Sequence, residues 1–184
     1  MTYYGSKELA AAFRTVRKNT ITIAQEIPEE QYGFAAAPGS RTVAQTLVHI
    51  AVAPRFPQQV HFVERRSTME GFDFFGLMGL MKAEEETPRG KQAIIDLLQV
   101  EGDRFASLLE SASEEFLAES VSFPAAMQAP PKSRFEMLMG PKEHEMHHRA
   151  QLMVVERMLG ITPHLTRQMQ ERIAGMQAAR GAGA

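Results

Sequence analysis

Apolar positions recur at intervals of three and four along most of the chain, the spacing that places side chains on one face of an α-helix. This periodicity predicts four amphipathic helices and a shorter, more polar C-terminal one, over about residues 6–27, 43–64, 91–112, 134–159 and 166–179. Pro28 follows the first helix and Gly160 ends the fourth, since proline lacks an amide donor and glycine favours a helix stop. No run of period-two alternation stands out, so the sequence predicts an all-α fold.

Prolines interrupt two of the predicted helices. Pro54 and Pro57 predict a kink or restart in the second helix, because each removes a backbone hydrogen bond. Gly140-Pro141 predicts a start or a bend in the fourth helix. Residues 114–133 contain three further prolines and are expected to form a long loop.

Residues 67–90 follow the helical spacing less closely than the segments on either side. An apolar patch over Phe72–Met81 follows Gly71 and is broken by Gly76 and Gly79, and it predicts a short helix or loop that covers the bundle or meets a partner subunit. The following segment, Lys82–Gly90, has three consecutive glutamates and is expected to be a solvated connection.

Composition places the chain among globular proteins. Its 184 residues predict one domain, 1–184, with a core over about 6–163 and a C-terminal helix and frayed tail over 164–184. A net charge of −2 without a long basic run argues against nucleic acid or an anionic membrane as the main partner. No apolar run approaches the length of a membrane span.

The chain contains no cysteine. Disulfides, thiolate metal sites and a cysteine nucleophile are therefore excluded, and a cytoplasmic location is expected from the fit to a reducing compartment.

Two histidines extend the apolar face of the fourth helix. His144, His148, Leu152, Val155 and Leu159 share one face at helical spacing, which predicts that both imidazoles point inward. Two histidines one turn apart can hold a divalent metal, because neutral imidazole is a good ligand for zinc, nickel, copper and iron. The alternative is that one or both are ordinary core or surface histidines.

The same segment also matches two other metal motifs. His144 to His148 spells H-E-x-x-H, in which Glu145 would activate water in a metalloprotease. That interpretation lacks a predicted strand to pair with a peptide substrate, although Glu156, His164 and Glu171 could supply a third ligand. Glu145 and His148 also form one Glu-x-x-His unit of a di-iron bundle, but the second predicted helix offers no matching unit.

The chain resembles the DinB-like superfamily, also called the DinB/YfiT-like proteins. The resemblance rests on two blocks within about Leu9 to Pro163: Arg41-Thr42-Val43 through His49-Ile50-Ala51, and His144 with His147-His148-Arg149-Ala150-Gln151-Leu152 and Leu159-Gly160. The H-x-x-H-H-R-x-Q block is the specific part. Members usually carry glycine where this chain has Ala150, a departure that leaves the ligand positions unchanged.

This resemblance implies a four-helix bundle of DinB/YfiT type with an atypical connection order, often as a homodimer, and here with a short additional C-terminal helix. It implies a divalent metal, commonly zinc or nickel, held by three histidines that fall by position on His49, His144 and His148. Some relatives are thiol S-transferases or isomerases that use mycothiol, bacillithiol or glutathione.

The function expected on this basis is metal-dependent transfer of an exogenous low-molecular-weight thiol to a small-molecule electrophile, or thiol-dependent isomerisation of that electrophile. Arg149 and Arg55 are candidates for binding the thiol's carboxylates by sequence proximity alone, although their sequence context favours ordinary surface positions for both. The alternative is a non-enzymatic interaction protein with a vestigial or structural metal site, which would use the Phe72–Met81 patch.

Overall fold

The computed structural model describes residues 4–181. Eight α-helices occupy this range: α1 Ser6–Glu26, α2 Val43–Val52, α3 Arg55–Gln58, α4 Phe74–Glu86, α5 Lys91–Ser111, α6 Glu114–Ala118, α7 Arg134–Met158 and α8 His164–Gly181. Short 3₁₀ turns span Glu29–Gln31 and Ala125–Met127. The tail expected to fray is residues 181–184, and all of it except Gly181 lies outside the described residues.

Helices α1, α2, α5 and α7 form a four-helix bundle, which confirms the predicted fold class. Helix α1 packs mainly on α5 and α7, and α2 packs on the same two helices and on α4. Sequence neighbours α1 and α2 therefore lie on opposite corners of the bundle. One apolar cluster contains Ile23, Leu98 and Leu152, and a second contains Phe13 and Phe105 towards the start of α1.

Side chains that cap the helices explain where α2 and α7 begin. The Thr42 hydroxyl accepts from the Gln45 amide while the Gln45 side chain accepts from the Thr42 amide. Ser133 and Glu136 make the equivalent reciprocal pair at the start of α7. Such capping boxes satisfy amides that have no partner inside the helix. Gly160 follows the end of α7 with a positive φ of 79°, as predicted for a helix stop.

The predicted interruption of the second helix is confirmed. Helix α2 ends at Val52, and the chain restarts as α3 and continues through a π-helical turn over Gln59–Val63. Pro141, by contrast, lies inside α7, whose helical run is unbroken from Arg134 to Met158, so it does not start a new helix.

Two predictions about the connections were wrong. Residues Lys82–Glu86 are not a solvated connection but the last part of α4, which is 13 residues long and packs on α2. Residues 114–133 contain α6 and a pair of two-residue antiparallel strands, β1 (Ser120–Val121) and β2 (Lys132–Ser133). Strands this short carry no periodic pattern that could be read from the sequence.

A buried arginine joins all four bundle helices. Arg17 on α1 donates through Nε to both carboxylate oxygens of Glu145 on α7, at 3.0 and 3.1 Å. Its other nitrogens donate to the carbonyl of Leu98 on α5 and the carbonyl of Ile50 on α2. A Cβ at Gly102 would lie 2.8 Å from Arg17 Cγ, so glycine at that position leaves room for the arginine.

Candidate metal centre

Three histidine side chains converge between α2 and α7. His144 Nε2 lies 3.0 Å from His49 Nε2 and 3.2 Å from His148 Nε2. Within residues 4–181, these three side chains form the one group of His, Asp and Glu residues whose ligand atoms all lie within 4.8 Å of one another. The structure therefore brings together the three predicted site residues His49, His144 and His148.

Hydrogen bonds fix the tautomers of two of these histidines. His49 Nδ1 lies 2.6 Å from Glu85 Oε1, and His148 Nδ1 lies 2.8 Å from Gln151 Oε1. Both oxygens are acceptors, so each Nδ1 carries the proton and each Nε2 presents its lone pair to the centre of the cluster. This orientation of histidine by a partner on its outer nitrogen is typical of metal ligands in proteins.

The environment also keeps the three imidazoles neutral. Burial, together with smaller effects of the neighbouring His148 and His49, lowers the pKa of His144 to about 4. Burial likewise lowers the pKa of His49 and of His148, against the opposing effects of Glu85 and Gln151. Neutral imidazole is the form that binds a metal.

The donor set fits a divalent metal ion. A metal about 2.0–2.1 Å from three imidazole nitrogens in tetrahedral geometry separates those nitrogens by about 3.3 Å. The observed separations of 3.0 and 3.2 Å are close to that value. Without a shared cation or proton, lone pairs at this spacing would repel one another, so His49, His144 and His148 have the arrangement of a three-nitrogen metal site with an open position.

Glu85 and Gln151 contact the histidine cluster, and neither was assigned a role from the sequence. Glu85 lies on the part of α4 that was expected to be a loop, and its second oxygen accepts from Arg41 Nε at 2.6 Å. Gln151 also donates from its amide nitrogen to His147 Nε2 at 3.1 Å. Gln151 stands three residues after His148 in the H-x-x-H-H-R-x-Q block, so the motif could have indicated that it contacts the histidines. No comparable motif surrounds Glu85.

Glu145 does not face the histidine cluster. It is 1% exposed and directs both carboxylate oxygens at Arg17 of α1 instead. The Glu of the H-E-x-x-H motif is therefore unavailable to activate water, and the metalloprotease interpretation loses its base.

A cleft of about 910 Å³ opens beside His49 and His148. Its lining carries two cationic side chains, Arg41 and Lys82, and the two carboxylates that pair with them, Glu85 and Glu86. Neither arginine named from the sequence lines it. Arg55 is paired with Glu84 and Glu101, and the partly buried Arg149 is absent from the lining.

The sequence profile of the DinB superfamily matches residues 12–152. The chain belongs to the DinB superfamily. As a DinB protein it shares its fold with YfiT from Bacillus subtilis, described as a probable metal-dependent hydrolase with an unusual four-helix bundle topology (TM-score 0.67, 14% identity, 88% of this chain and 91% of that one).

Two further solved structures have the same fold. A DinB-like protein from Bacillus cereus has a TM-score of 0.66 and 18% identity, over 88% of this chain and 97% of its own. A mycothiol-dependent maleylpyruvate isomerase has a TM-score of 0.61 and 13% identity, over 83% of this chain and 63% of its own. No curated protein sequence matches this DinB chain. At these identities the structural likeness establishes the fold.

Helices long and apolar enough to cross a membrane are absent from the part of the chain described by the structure.

Proposed function

We propose that this DinB protein is a divalent-metal-dependent enzyme that transfers a low-molecular-weight thiol to a small electrophile, or uses the thiol to isomerise it. The observation that carries the proposal is the convergence of three neutral histidine nitrogens beside an open cleft. The likeness to an isomerase that depends on mycothiol supports the choice of a thiol. The chain has no cysteine, so the thiol must come from a small molecule.

His49, His144 and His148 would hold the metal, and zinc or nickel suits a site of three imidazoles with an open position. When bound, the metal supplies a Lewis acid that lowers the pKa of an incoming thiol or polarises a carbonyl. Glu85 and Gln151 hold two of the ligand rings in the orientation that this requires.

The cleft supplies groups for the remainder of the thiol. Glutathione, bacillithiol and mycothiol are polar molecules, and the first two carry carboxylates. Arg41 pairs through Nε with Glu85, and Lys82 pairs with Glu86, but their side chains are 43% and 76% exposed, so the remaining N–H groups of both can donate to such groups. This assignment replaces Arg55 and Arg149 as the candidates for carboxylate binding.

The test is a rate measurement with each of the three thiols and a haloaromatic or maleyl electrophile, on zinc-loaded and metal-free protein. The proposal predicts a rate that follows metal occupancy and rises with pH through an apparent pKa below the free-thiol value of about 8.5. His164→Ala serves as a control that should keep the activity. Equal rates for loaded and metal-free protein with every thiol would refute the proposal.

A second candidate function is binding to another protein chain, with the metal site structural or vestigial. The observation in its favour is the outer face of α4, where Phe75 is 86% exposed and Leu80 is 70% exposed. We propose that this face joins two copies in a cytoplasmic homodimer. Sedimentation of the wild type and of Phe75→Glu tests this, and a wild-type monomer at micromolar concentration would refute it.

A further inference from the structure

A second, smaller cavity of about 260 Å³ also borders the histidine cluster. It shares His49, Met78 and Met81 with the large cleft, and His144 also faces it. Most of its remaining wall is apolar: Ala53, Phe56, Pro57, Phe74, Met137 and Pro141. The three histidines therefore stand between a cleft with a charged rim and a cavity with an apolar wall.

One polar side chain stands out in the wall of this cavity. His61 is fully buried, and its Nδ1 lies 3.1 Å from Nη1 of Arg134. Arginine is always protonated and can only donate, so His61 Nδ1 must accept. Burial, with a smaller effect of Arg134, lowers the pKa of His61 to about 4, so the ring is neutral and carries its one proton on Nε2.

The Nε2–H group of His61 has no hydrogen-bond partner among residues 4–181. Arg134 approaches the ring from the side that carries Phe116 and the Arg65 carbonyl. Its guanidinium carbon lies 4.7 Å from the centroid of the Phe116 ring, and its Nη2 donates to the Arg65 carbonyl. His61 lines a cavity of about 280 Å³ on that side, with Arg65 and Phe116, as well as the apolar cavity that it shares with His144. Because Arg134 takes Nδ1 on the Phe116 side, Nε2 is the nitrogen left for the apolar cavity. A buried donor without an acceptor costs about 1–3 kcal/mol, so a buried donor in a cavity wall indicates that a ligand supplies the acceptor.

We infer that the cavity binds a small apolar molecule, aromatic or unsaturated, that carries a carbonyl oxygen, and that His61 Nε2–H donates to this oxygen. The inference rests on the proposed function and deepens it. The charged cleft takes the thiol, the apolar cavity takes the electrophile, and the histidine cluster lies between them. Arg134 is a positioning residue, because its hydrogen bond selects the tautomer of His61 that can donate.

Binding is tested without thiol, on zinc-loaded and on metal-free protein, with acetophenone as the probe. Its matched control is α-methylstyrene, which has the same shape but a methylene group in place of the carbonyl oxygen. The readout is the NMR spectrum of ¹³C-methyl methionine. Met78, Met81 and Met137 line the cavity, whereas Met169 and Met176 lie exposed on α8 and report binding elsewhere.

Acetophenone should shift the three cavity methionines in a saturable way and bind about tenfold more tightly than α-methylstyrene, because only the ketone pairs the buried donor. His61→Phe should keep the methionine shifts but lose the preference, and His164→Ala should keep both. Equal affinity of the two probes for the wild type, or shifts confined to Met169 and Met176, would overturn the inference.

The ¹⁵N spectrum of the wild-type imidazoles gives a second measurement that needs no variant. His61 should be a neutral Nε2–H tautomer whose proton resonance moves when acetophenone binds. A protonated Nδ1, or no change on binding, would overturn the inference. Because neither measurement uses a thiol or turnover, a positive result with no thiol chemistry would refute only the proposed reaction.

Discussion

Two sides of one turn of α7 carry opposite kinds of chemistry. On one side, Glu145 is buried against Arg17, and every charge in that contact has a partner in the protein. On the other side, His144 and His148 direct ring nitrogens at His49 and at each other. The three α7 residues are separated by at most four positions in the sequence.

The difference lies in whether the protein satisfies its own polar groups. Arg17 donates to a carboxylate and two backbone carbonyls, so that contact joins the four helices and leaves nothing to bind. The histidine cluster has three ring nitrogens facing one another without a partner of opposite charge, an arrangement that a cation completes. A candidate binding site is therefore recognised by polar atoms that have no partner within the protein. The H-E-x-x-H motif alone does not distinguish the histidines, which lack such a partner, from Glu145, which has one.

The largest effect is expected on the Glu145 side. Arg17→Met leaves a buried carboxylate without a partner and should lower the free energy of unfolding by about 3–5 kcal/mol. Urea denaturation measures this. Arg14→Met removes a pair with Glu110 whose side chains are 43% and 48% exposed, and should cost less than about 1 kcal/mol. A similar loss in both variants would show that the buried contact does not hold the bundle together.

A second buried carboxylate on α7 sharpens the comparison, because it has no hydrogen-bond donor beside it, whereas Glu145 has Arg17. Glu156 is fully buried, and neither of its oxygens has a hydrogen-bond partner in the described part of the chain. Burial, together with Glu26, raises its pKa to about 7, against the opposing effects of Arg167 and Arg157. The folded protein thus keeps a proton that the unfolded chain releases near pH 4.5.

Glu156 should therefore destabilise the fold increasingly as pH rises from about 4.5 to 7, by about 3 kcal/mol in total. Glu156→Gln removes this titration, so its stability relative to the wild type should increase between pH 5 and pH 8. Thermal unfolding at the two pH values measures the change. The same relative stability at both would show that Glu156 is ionised in the folded protein.

The smallest of the three effects concerns the partner of His49. Glu85→Gln should weaken zinc binding by about 10- to 100-fold, because a neutral amide holds and polarises the imidazole less well. Competition with a zinc-binding dye measures the affinity. Glu86→Gln, four residues after the exposed Lys82 and paired with it at 3.8 Å, is the matched control and should leave the affinity unchanged. Equal loss in both would indicate a general charge effect of the cleft.

Much of this organisation could be predicted from the sequence. Helical spacing places His144 and His148 on the inward face, Gly160 marks the end of α7, and Pro54 and Pro57 mark the interruption after α2. These features depend on residues close together in the chain. The assignment of His49 required the resemblance, because nothing near it in the sequence indicates a metal ligand.

The remaining features depend on contacts between distant residues. Arg17 and Glu145 are separated by 128 positions, and His49 and Glu85 by 36. Three consecutive glutamates after an apolar patch are equally typical of a solvated loop and of a helix end. Only the packing of α4 on α2 makes Glu85 a partner of His49, and only the packing of α1 on α7 turns Glu145 away from the cluster.

The most direct test of the metal site is elemental analysis of protein purified without a histidine tag. The wild type should contain one divalent cation per chain. His49→Ala, His144→Ala and His148→Ala should each lose stoichiometric binding, whereas His61→Ala and His164→Ala should keep it. Full metal content in His49→Ala would contradict the three-histidine centre.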